Sequence, residues 1–304
     1  MKKKILLTIG SIIVILFAAG AGYVWWMYHS VASTAGDMYE TSAGKGNHKA
    51  VTNKKPISLL LLGVDERQGD HGRSDTMIAT TLNPNTKTMQ MISIPRDTRT
   101  EIVGRGTYDK INAAYAYGGT KMAESTAEKF LGDIPFDFYI KINMEGMRDL
   151  VDAVGGVTVN NKLDWHDEGY YKKGYHYAKG QINLDTGAKA MGYVRMRHLD
   201  PQGDFGRNER QREVIMAIVN KMANVSSVTR YSQILDALGD NVKTNLTFDD
   251  MKNLAFNYRD ARKNMINYEV KGNGQMVNGV YYLVVDSAEQ QRVHDMINEQ
   301  LGNN

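Results

Sequence analysis

The 304-residue sequence predicts an α/β domain behind one N-terminal membrane span. Three observations predict it. From Ile57 to Leu301, apolar runs of strand length alternate with amphipathic stretches of helix length. Ahead of them, Ile5 to Tyr28 carries no charged residue. Hydrophobic residues make up 42% of the chain and Cys is absent, which excludes a disordered chain, a disulfide scaffold, a thiolate metal site and a cysteine nucleophile.

A helix over residues 5–28, rising about 1.5 Å per residue, covers a hydrocarbon core of about 30 Å. Lys2, Lys3 and Lys4 precede it and the next charge is Asp37. The positive-inside rule therefore keeps residues 1–4 cytoplasmic and places everything after Tyr28 outside the cell membrane. Tyr23, Trp25, Trp26 and Tyr28 suit an interfacial aromatic belt at the distal end. A cleaved signal peptide is the competing reading, because Ala19-Gly20-Ala21 is an acceptable cleavage site. Residues 29–55, rich in Ser, Thr, Gly, Asn and Lys, read as a tether, and 56–304 as one domain large enough for a full core. The chain has 37 Lys+Arg against 34 Asp+Glu, and the three N-terminal lysines supply the whole surplus. The outer part is thus neutral, nucleic acid is not an expected partner, and any anion must meet a local cluster.

Each element follows from its pattern. Ile57 to Leu62 is continuously apolar and stops at Gly63, as a strand buried on both faces does. Thr76 to Leu82 and Met89 to Ile94 flank Asn83-Pro84-Asn85 and predict a hairpin. Ile111 to Tyr117 and Met122 to Leu131 read as two helices, and Phe136 to Ile142 alternates as a strand. Met144 to Val154 is an amphipathic helix stopped by Gly155-Gly156, and Val157 to Val159 is a strand. Asp185 to Arg195 and Arg207 to Met222 read as helices around an irregular Gly/Asp/Pro stretch. Tyr231 to Leu238 and Asp249 to Arg259 are further helices, the latter capped by Thr247 with Asp250 three residues on. Ile266 to Val270 and Tyr281 to Val285 are strands, and Ala288 to Leu301 closes the chain as a helix.

Three stretches carry residues suited to chemistry. In the first, Asp65 ends the leading strand and Asp75 starts the next, with Arg67 and Arg73 between. Carboxylates at neighbouring strand ends can share a hard cation such as Mg2+ together with phosphate oxygens; they can equally cap turns and pair with the two arginines. In the second, Ile92-Ser93-Ile94-Pro95 delivers Arg96-Asp97 and then Arg99 at a strand end, as a site pair or as a plain ion pair. The third runs from Tyr193 to Arg212 and holds Arg195, Arg197, His198, Arg207, Arg210 and Arg212 against Asp200, Asp204 and Glu209. Every strong cation there is Arg, whose planar guanidinium grips phosphate bidentately. In an extended segment Arg195 and Arg197 would share a face, and Gly206 leads into a helix start at Arg207, where free N–H groups favour an anion. A solvated helix face accounts for Arg210 and Arg212 but poorly for Arg195 and Arg197. No phosphate-binding G-x-x-x-x-G-K-[ST] loop, dinucleotide fingerprint, G-x-S-x-G elbow or H-E-x-x-H helix is present, and the scattered His residues lack metal-ligand spacing. Trp165, Tyr170, Tyr171, Tyr175 and Tyr177 form an aromatic stretch, read as a packed loop or one that stacks on sugars.

Taken together, Asp65-x-Arg67, Gly72-Arg73-Ser74-Asp75, Ser93-Ile94-Pro95-Arg96-Asp97-Thr98, Lys110-Ile111-Asn112 with Gly118-Gly119, Gly155-Gly156-Val157, and Arg195-x-Arg197 with Gly203-Asp204-x-x-Arg207-x-x-Arg210-Gln211 resemble the LytR-CpsA-Psr family, in its order, from Ile57 to Met222. The resemblance implies a single α/β/α sandwich with a central mixed sheet, and a groove between sheet and helices for a polyprenyl chain. It implies a phosphotransferase that moves an anionic glycopolymer, usually wall teichoic acid, from polyprenyl pyrophosphate to the muramic acid C6 hydroxyl of peptidoglycan, in a Gram-positive bacterium. It places Mg2+, with Mn2+ as the alternative, on Asp65 and Asp75, makes Asp75 the base, and sets Arg73, Arg96, Arg195, Arg197 and Arg207 on the two phosphates. Asp97 and Gln211 would orient those arginines, and Arg67, Arg99, Asp204 and Arg210 form a second tier. The same residues admit a transcription-attenuating regulator, a module that binds lipid pyrophosphate or glycan without chemistry, and a polyprenyl pyrophosphatase.

Overall fold

A computed structural model describes residues 29–30, 32–42, 44–66, 72–223, 234, 238–239 and 241–302. The predicted membrane span, Arg67 and most of the helix expected at 231–238 lie outside the described residues. Among the described residues no helix is long and apolar enough to cross a membrane.

The strands are β1 (Ile57–Val64), β2 (Ser74–Asn83), β3 (Thr88–Ser93), β4 (Arg99–Ile102), β5 (Thr107–Lys110), β6 (Phe138–Asn143), β7 (Val157–Asn161), β8 (Trp165–His166), β9 (His176–Tyr177), β10 (Gly180–Leu184), β11 (Val242–Thr244), β12 (Asn264–Glu269), β13 (Asn273–Val277) and β14 (Val280–Val284). The helices are α1 (His48–Thr52), α2 (Ala113–Phe130), α3 (Met144–Ala153), α4 (Gly187–Arg195), α5 (Asp204–Ala223), α6 (Phe248–Asn257) and α7 (Ser287–Leu301). A six-stranded sheet in the order β11-β6-β1-β2-β3-β12 forms the centre. It is mixed: β1 and β6, and β3 and β12, are parallel, while β2 runs against both its neighbours and β11 against β6.

The uninterrupted apolar run of β1 is explained by its two buried faces. Leu60, Leu62 and Val64 join Met77, Ala79, Ile92 and Ile94 in one core with Ala123, Ala127 and Phe130 of α2 and Val293 and Ile297 of α7. Ile57 and Leu59 point the other way, into a core with Phe138, Leu246 and Tyr258, while Ile78 and Met91 meet Met216 of α5 on that side. Helices thus cover both faces, and each fully buried aliphatic side chain contributes about 1.5–3 kcal/mol. A further core at the β11/β6 end of the sheet unites α3, α4, α5 and the β7/β10 pair, with Trp165 and Tyr177 stacked 4.5 Å apart. The Trp165–Tyr177 stretch is therefore a packed loop, its turn held by Asp167 accepting the N–H groups of Gly169, Tyr170, Tyr171 and Lys172.

Three expectations change. The helices expected at 111–117 and 122–131 are one element, α2, kinked where Gly118 and Gly119 leave helical geometry. The helix expected from Arg207 begins at Asp204, so Arg207 stands a full turn inside it. Arg195 is the last residue of α4, where the helix expected over 185–195 puts it, so it shares no extended segment with Arg197. The stretch read as a tether is packed on the domain over much of its length: Ala50 and Val51 of α1 are buried, Asn47 donates to Asp137, and Tyr139 donates to the Glu40 carbonyl. The capping box at Thr247 and Asp250 is present as read.

Candidate functional site

The carboxyl ends of β1, β3, β6 and β12 and the start of β2 share one edge of the sheet, the edge at which open α/β sheets bind ligands. There β2 sets Ser74 opposite Val64 and Thr76 opposite Gly63, and skips Asp75. Asp75 is the extra residue of a β-bulge, a device that re-aims a side chain at a strand end. The chain reaches it through Gly72, whose φ is +62° and where a Cβ would lie 2.2 Å from the Asp65 carbonyl oxygen; only glycine allows that return. The Arg73 carbonyl then accepts the N–H groups of both Asp65 and Asp75. One carbonyl thereby ties the two acidic residues' backbones together.

Arg96 crosses from the end of β3 to this bulge and donates from Nη1 to Asp75 Oδ1 at 2.9 Å. Its Nε lies 3.5 Å from Asp204 Oδ2 and 3.8 Å from Asp97 Oδ2. Asp204, in the first turn of α5, also stands 3.2 Å from Arg197 Nε and 3.0 Å from Arg207 Nη2. Three guanidiniums and three carboxylates from four separate segments therefore meet. Burial works against the Arg96 charge, but Asp75, then Asp204 and Asp97, outweigh it and hold its pKa above the usual value. Arg207 goes the other way: burial, reinforced by the charges of Arg96 and Arg197, lowers its pKa despite Asp204. Arg96 Nε and Arg207 Nε and Nη2 are buried and make no aligned hydrogen bond among the described residues; the Asp204 approach is Coulombic, off the donor axis. Buried donors without acceptors are rare, and cationic ones crowded together fit an anion supplied from outside.

The remaining predicted residues fall elsewhere. Arg73 is exposed beside the bulge, and Arg195 is half-buried at the end of α4 with no carboxylate partner among the described residues. Gln211 accepts from Thr76 Oγ1 at 2.7 Å and so braces the bulge, not an arginine. Arg99 stacks on Tyr108 at 4.6 Å and pairs with no carboxylate among the described residues. Arg210 is structural: it donates to Asp200 and to the carbonyls of Tyr193 and Met196, pinning the 196–200 loop. Gly206 permits this, since a Cβ there would lie 1.9 Å from Asp200 Oδ2. Arg212 donates to Ser93 Oγ and to Glu269 Oε2 at 3.2 Å, and Asn208 completes the Glu269 partners at 2.9 Å. Burial pushes the Glu269 carboxyl up against those bonds.

Two groups join the predicted site residues, Lys110 having entered the sequence reading only as part of the Lys110-Ile111-Asn112 motif. Lys110, at the end of β5, lies 2.6 Å from Asp97 Oδ1, so Asp97 bridges Lys110 and Arg96. Glu66, next to Asp65, accepts from the Tyr115 hydroxyl and lies 3.6 Å from Lys141. Asp204 moves from the second tier to the hub of the cluster. Its spacing three residues before Arg207 on one helix was the signal available.

The family model for the LytR_cpsA_psr family matches residues 25–299. The chain is 45% identical over 303 residues to the polyisoprenyl-teichoic acid–peptidoglycan teichoic acid transferase TagU of Bacillus subtilis, covering 99% of this chain and 97% of that one. The crystal structure of B. subtilis TagU superposes with a TM-score of 0.66 at 44% identity, covering 82% of this chain and 97% of that chain. The structure of TagT bound to LIIa-WTA superposes with a TM-score of 0.70 at 34% identity, covering 82% and 92%.

Proposed function

The chain belongs to the LytR-CpsA-Psr family, and on that premise we propose that it transfers an anionic glycopolymer, wall teichoic acid, from a polyprenyl pyrophosphate carrier to peptidoglycan. The observation that carries this reading is the convergence of Arg96, Arg197 and Arg207 on Asp75, Asp97 and Asp204 with buried guanidinium donors left open. A diphosphate offers the oxygens those donors lack, and Arg73, exposed beside the bulge, would meet its outer oxygens. Relatives named as teichoic acid transferases, and one structure with a WTA ligand, support the choice of polymer.

In this mechanism Arg96 holds Asp75 through Oδ1, leaving Oδ2 to take the proton of the acceptor hydroxyl. The freed oxygen attacks the phosphorus that bears the polymer. The bond from that phosphorus to the bridging oxygen breaks, the polyprenyl phosphate leaves with its electron pair, and a phosphodiester to the muramic acid C6 oxygen remains. Phosphoryl transfer is governed by positioning and charge neutralisation, and guanidiniums aimed at the bridging and terminal oxygens strengthen as charge builds there. The pyrophosphate bond supplies the driving force, so no nucleotide site is required.

Asp65, with Asp75, would hold Mg2+ in the mode that uses one or two carboxylates plus phosphate oxygens. They are tied at one bulge, and among the described residues no group of three or more acids and imidazoles forms a cage of its own. Mg2+ bound there, with Mn2+ as a substitute, would supply neutralising charge at the phosphate oxygens. Residues 5–28 serve as a single-pass anchor that keeps the site beside a lipid-borne donor, with the domain outside the cell.

The test incubates the full-length protein with Mg2+, lipid-linked teichoic acid and uncrosslinked peptidoglycan strands. Polymer-modified glycan and free polyprenyl phosphate are expected, and Asp75→Ala abolishes both while retaining donor binding. Release of free polymer phosphate without glycan coupling would identify a pyrophosphatase instead, and binding without any product a carrier-binding module.

A further inference from the structure

Beside the arginine–carboxylate cluster lies a surface that the transfer chemistry leaves unused. The β4/β5 ribbon sets Arg99 directly opposite Lys110, a like-charge pairing that costs stability. Lys110 is relieved by Asp97 at 2.6 Å, but Arg99 has no carboxylate partner among the described residues. It lies instead 4.6 Å over the ring of Tyr108, its diagonal neighbour, and 5.9 Å over Tyr282. Next to them Arg105 sits 4.0 Å over Tyr117, again without a carboxylate partner among the described residues. Tyr108 is 58% and Tyr117 44% exposed. Asp109 fixes the rings, accepting from Tyr117 at 2.7 Å and from Tyr282 at 3.5 Å. Its hydrogen bond pushes the Tyr117 phenol up against the opposing charges of Arg105 and Arg73, which places Arg73 beside the same ring.

We propose that this shelf of tyrosines and unpaired arginines binds the polymer chain of the donor, an anionic glycan with phosphate in its repeats, as it leaves the reactive phosphate. The inference rests on the transferase reading and adds to it the binding track for the polymer. Ring faces suit the C–H faces of sugars and guanidiniums held over them suit the intervening phosphates. The shelf begins two ion pairs from the reaction, Lys110 to Asp97 and Asp97 to Arg96, and a chain joined covalently to the reacting phosphorus must leave over adjoining surface. The groove of about 660 Å3 on the far side of α5 has the wrong character for this occupant, because its cations Lys162, Arg210 and Arg212 are already paired with Glu209, Asp200 and Glu269.

The experiment compares full-length wild type with the double variant Arg105→Ala/Tyr108→Ala on two donors, one ending after the first sugars and one carrying many phosphate repeats. The variant should turn over the short donor within about twofold of wild type and raise KM for the long donor roughly tenfold, the span of one to two exposed contacts, with the difference shrinking as salt rises. Titration with lipid-free poly(glycerol phosphate) should show the same loss of affinity, and it reads the shelf even if neither donor is transferred, which would refute the transferase reading alone. Equal losses on both donors would overturn the track in favour of a structural role. Unchanged values on both donors would overturn it outright, as would a loss confined to binding of vesicles made with anionic lipid, which would mark the shelf as a membrane contact.

Discussion

Arg207 and Arg210 stand one turn apart on α5, at 9% and 5% exposure, and the two regions they belong to bury a cation in opposite ways. Around Arg210 every direction is answered: Asp200 takes the charge, and the carbonyls of Tyr193 and Met196 take the remaining donors. Around Arg207 the partners are shared with Arg96 and Arg197, and Nε and Nη2 are left without an aligned acceptor. The saturated region is closed and holds the loop. The unsaturated region is open in the electrostatic sense, and on the proposed function its donors are the ones that meet the diphosphate. Residue type and burial are the same in both; the count of answered donors separates scaffold from site.

Breaking the saturated side gives the largest expected effect. Arg210→Met leaves Asp200 buried without its cation, and loss of one partner from such a pair costs about 3–5 kcal/mol. Denaturant unfolding should show that loss, and adding Asp200→Asn should recover a large part of it, since an uncharged pair of similar volume is often neutral. A loss below about 1 kcal/mol would mean that the Arg210 lattice does not bear the loop.

Breaking the open side comes next. Arg207→Ala should lower turnover by about 10²–10³, the cost of about 2.7–4 kcal/mol for one donor aimed at developing charge, with a thermal midpoint no lower than wild type. Arg96→Ala should match it in turnover and also release Asp75. If Arg207→Ala instead unfolded the protein like Arg210→Met and spared the rate per folded molecule, the distinction between the two regions would be lost.

That distinction was not visible in the sequence. Arg195, Arg197, Arg207, Arg210 and Arg212 read alike there, because what assigns Arg210 to Asp200 is a loop folding back over Gly206, and what assigns Arg212 to Glu269 is a strand 57 residues away. Gln211 bracing Thr76 spans 135 residues, beyond any local pattern. The legible parts were those in which local physics decides: β1, apolar because both its faces are covered; the hairpin at Asn83, whose Oδ1 accepts from Asn85 and Thr86; and the Thr247 capping box. Strands β5 and β13 were missed because they are largely exposed and carry no alternation. The packing of residues 39–55 was missed because two small side chains, Ala50 and Val51, are buried by Tyr258 and Leu246, residues contributed by distant segments.

A third way of burying a charge sharpens the comparison with the smallest effect. Glu124 of α2 is 5% exposed amid the core with Ala123 and Ala127, and among the described residues no cation is paired with it. Burial, with the like charge of Glu128, pushes its carboxyl up to about 8 from an ordinary 4.5. Where Arg210 is answered by protein and Arg207, on the proposed function, by a ligand, Glu124 is answered by a proton. The folded chain then binds that proton more tightly than the unfolded chain. Below pH 4.5 both states hold it and Glu124 has no pH-dependent effect; between 4.5 and 8 the unfolded chain alone releases it, so stability falls as pH rises; above 8 both release it and the full penalty stands. Glu124→Gln keeps the shape and removes the titration. Its stability relative to wild type should therefore climb from pH 5 to pH 6.5 by an amount on the order of 1–2 kcal/mol, a pKa unit being worth about 1.4 kcal/mol. Denaturant midpoints of both proteins across that range are the measurement, and parallel curves would show that Glu124 is solvated or paired in the folded state.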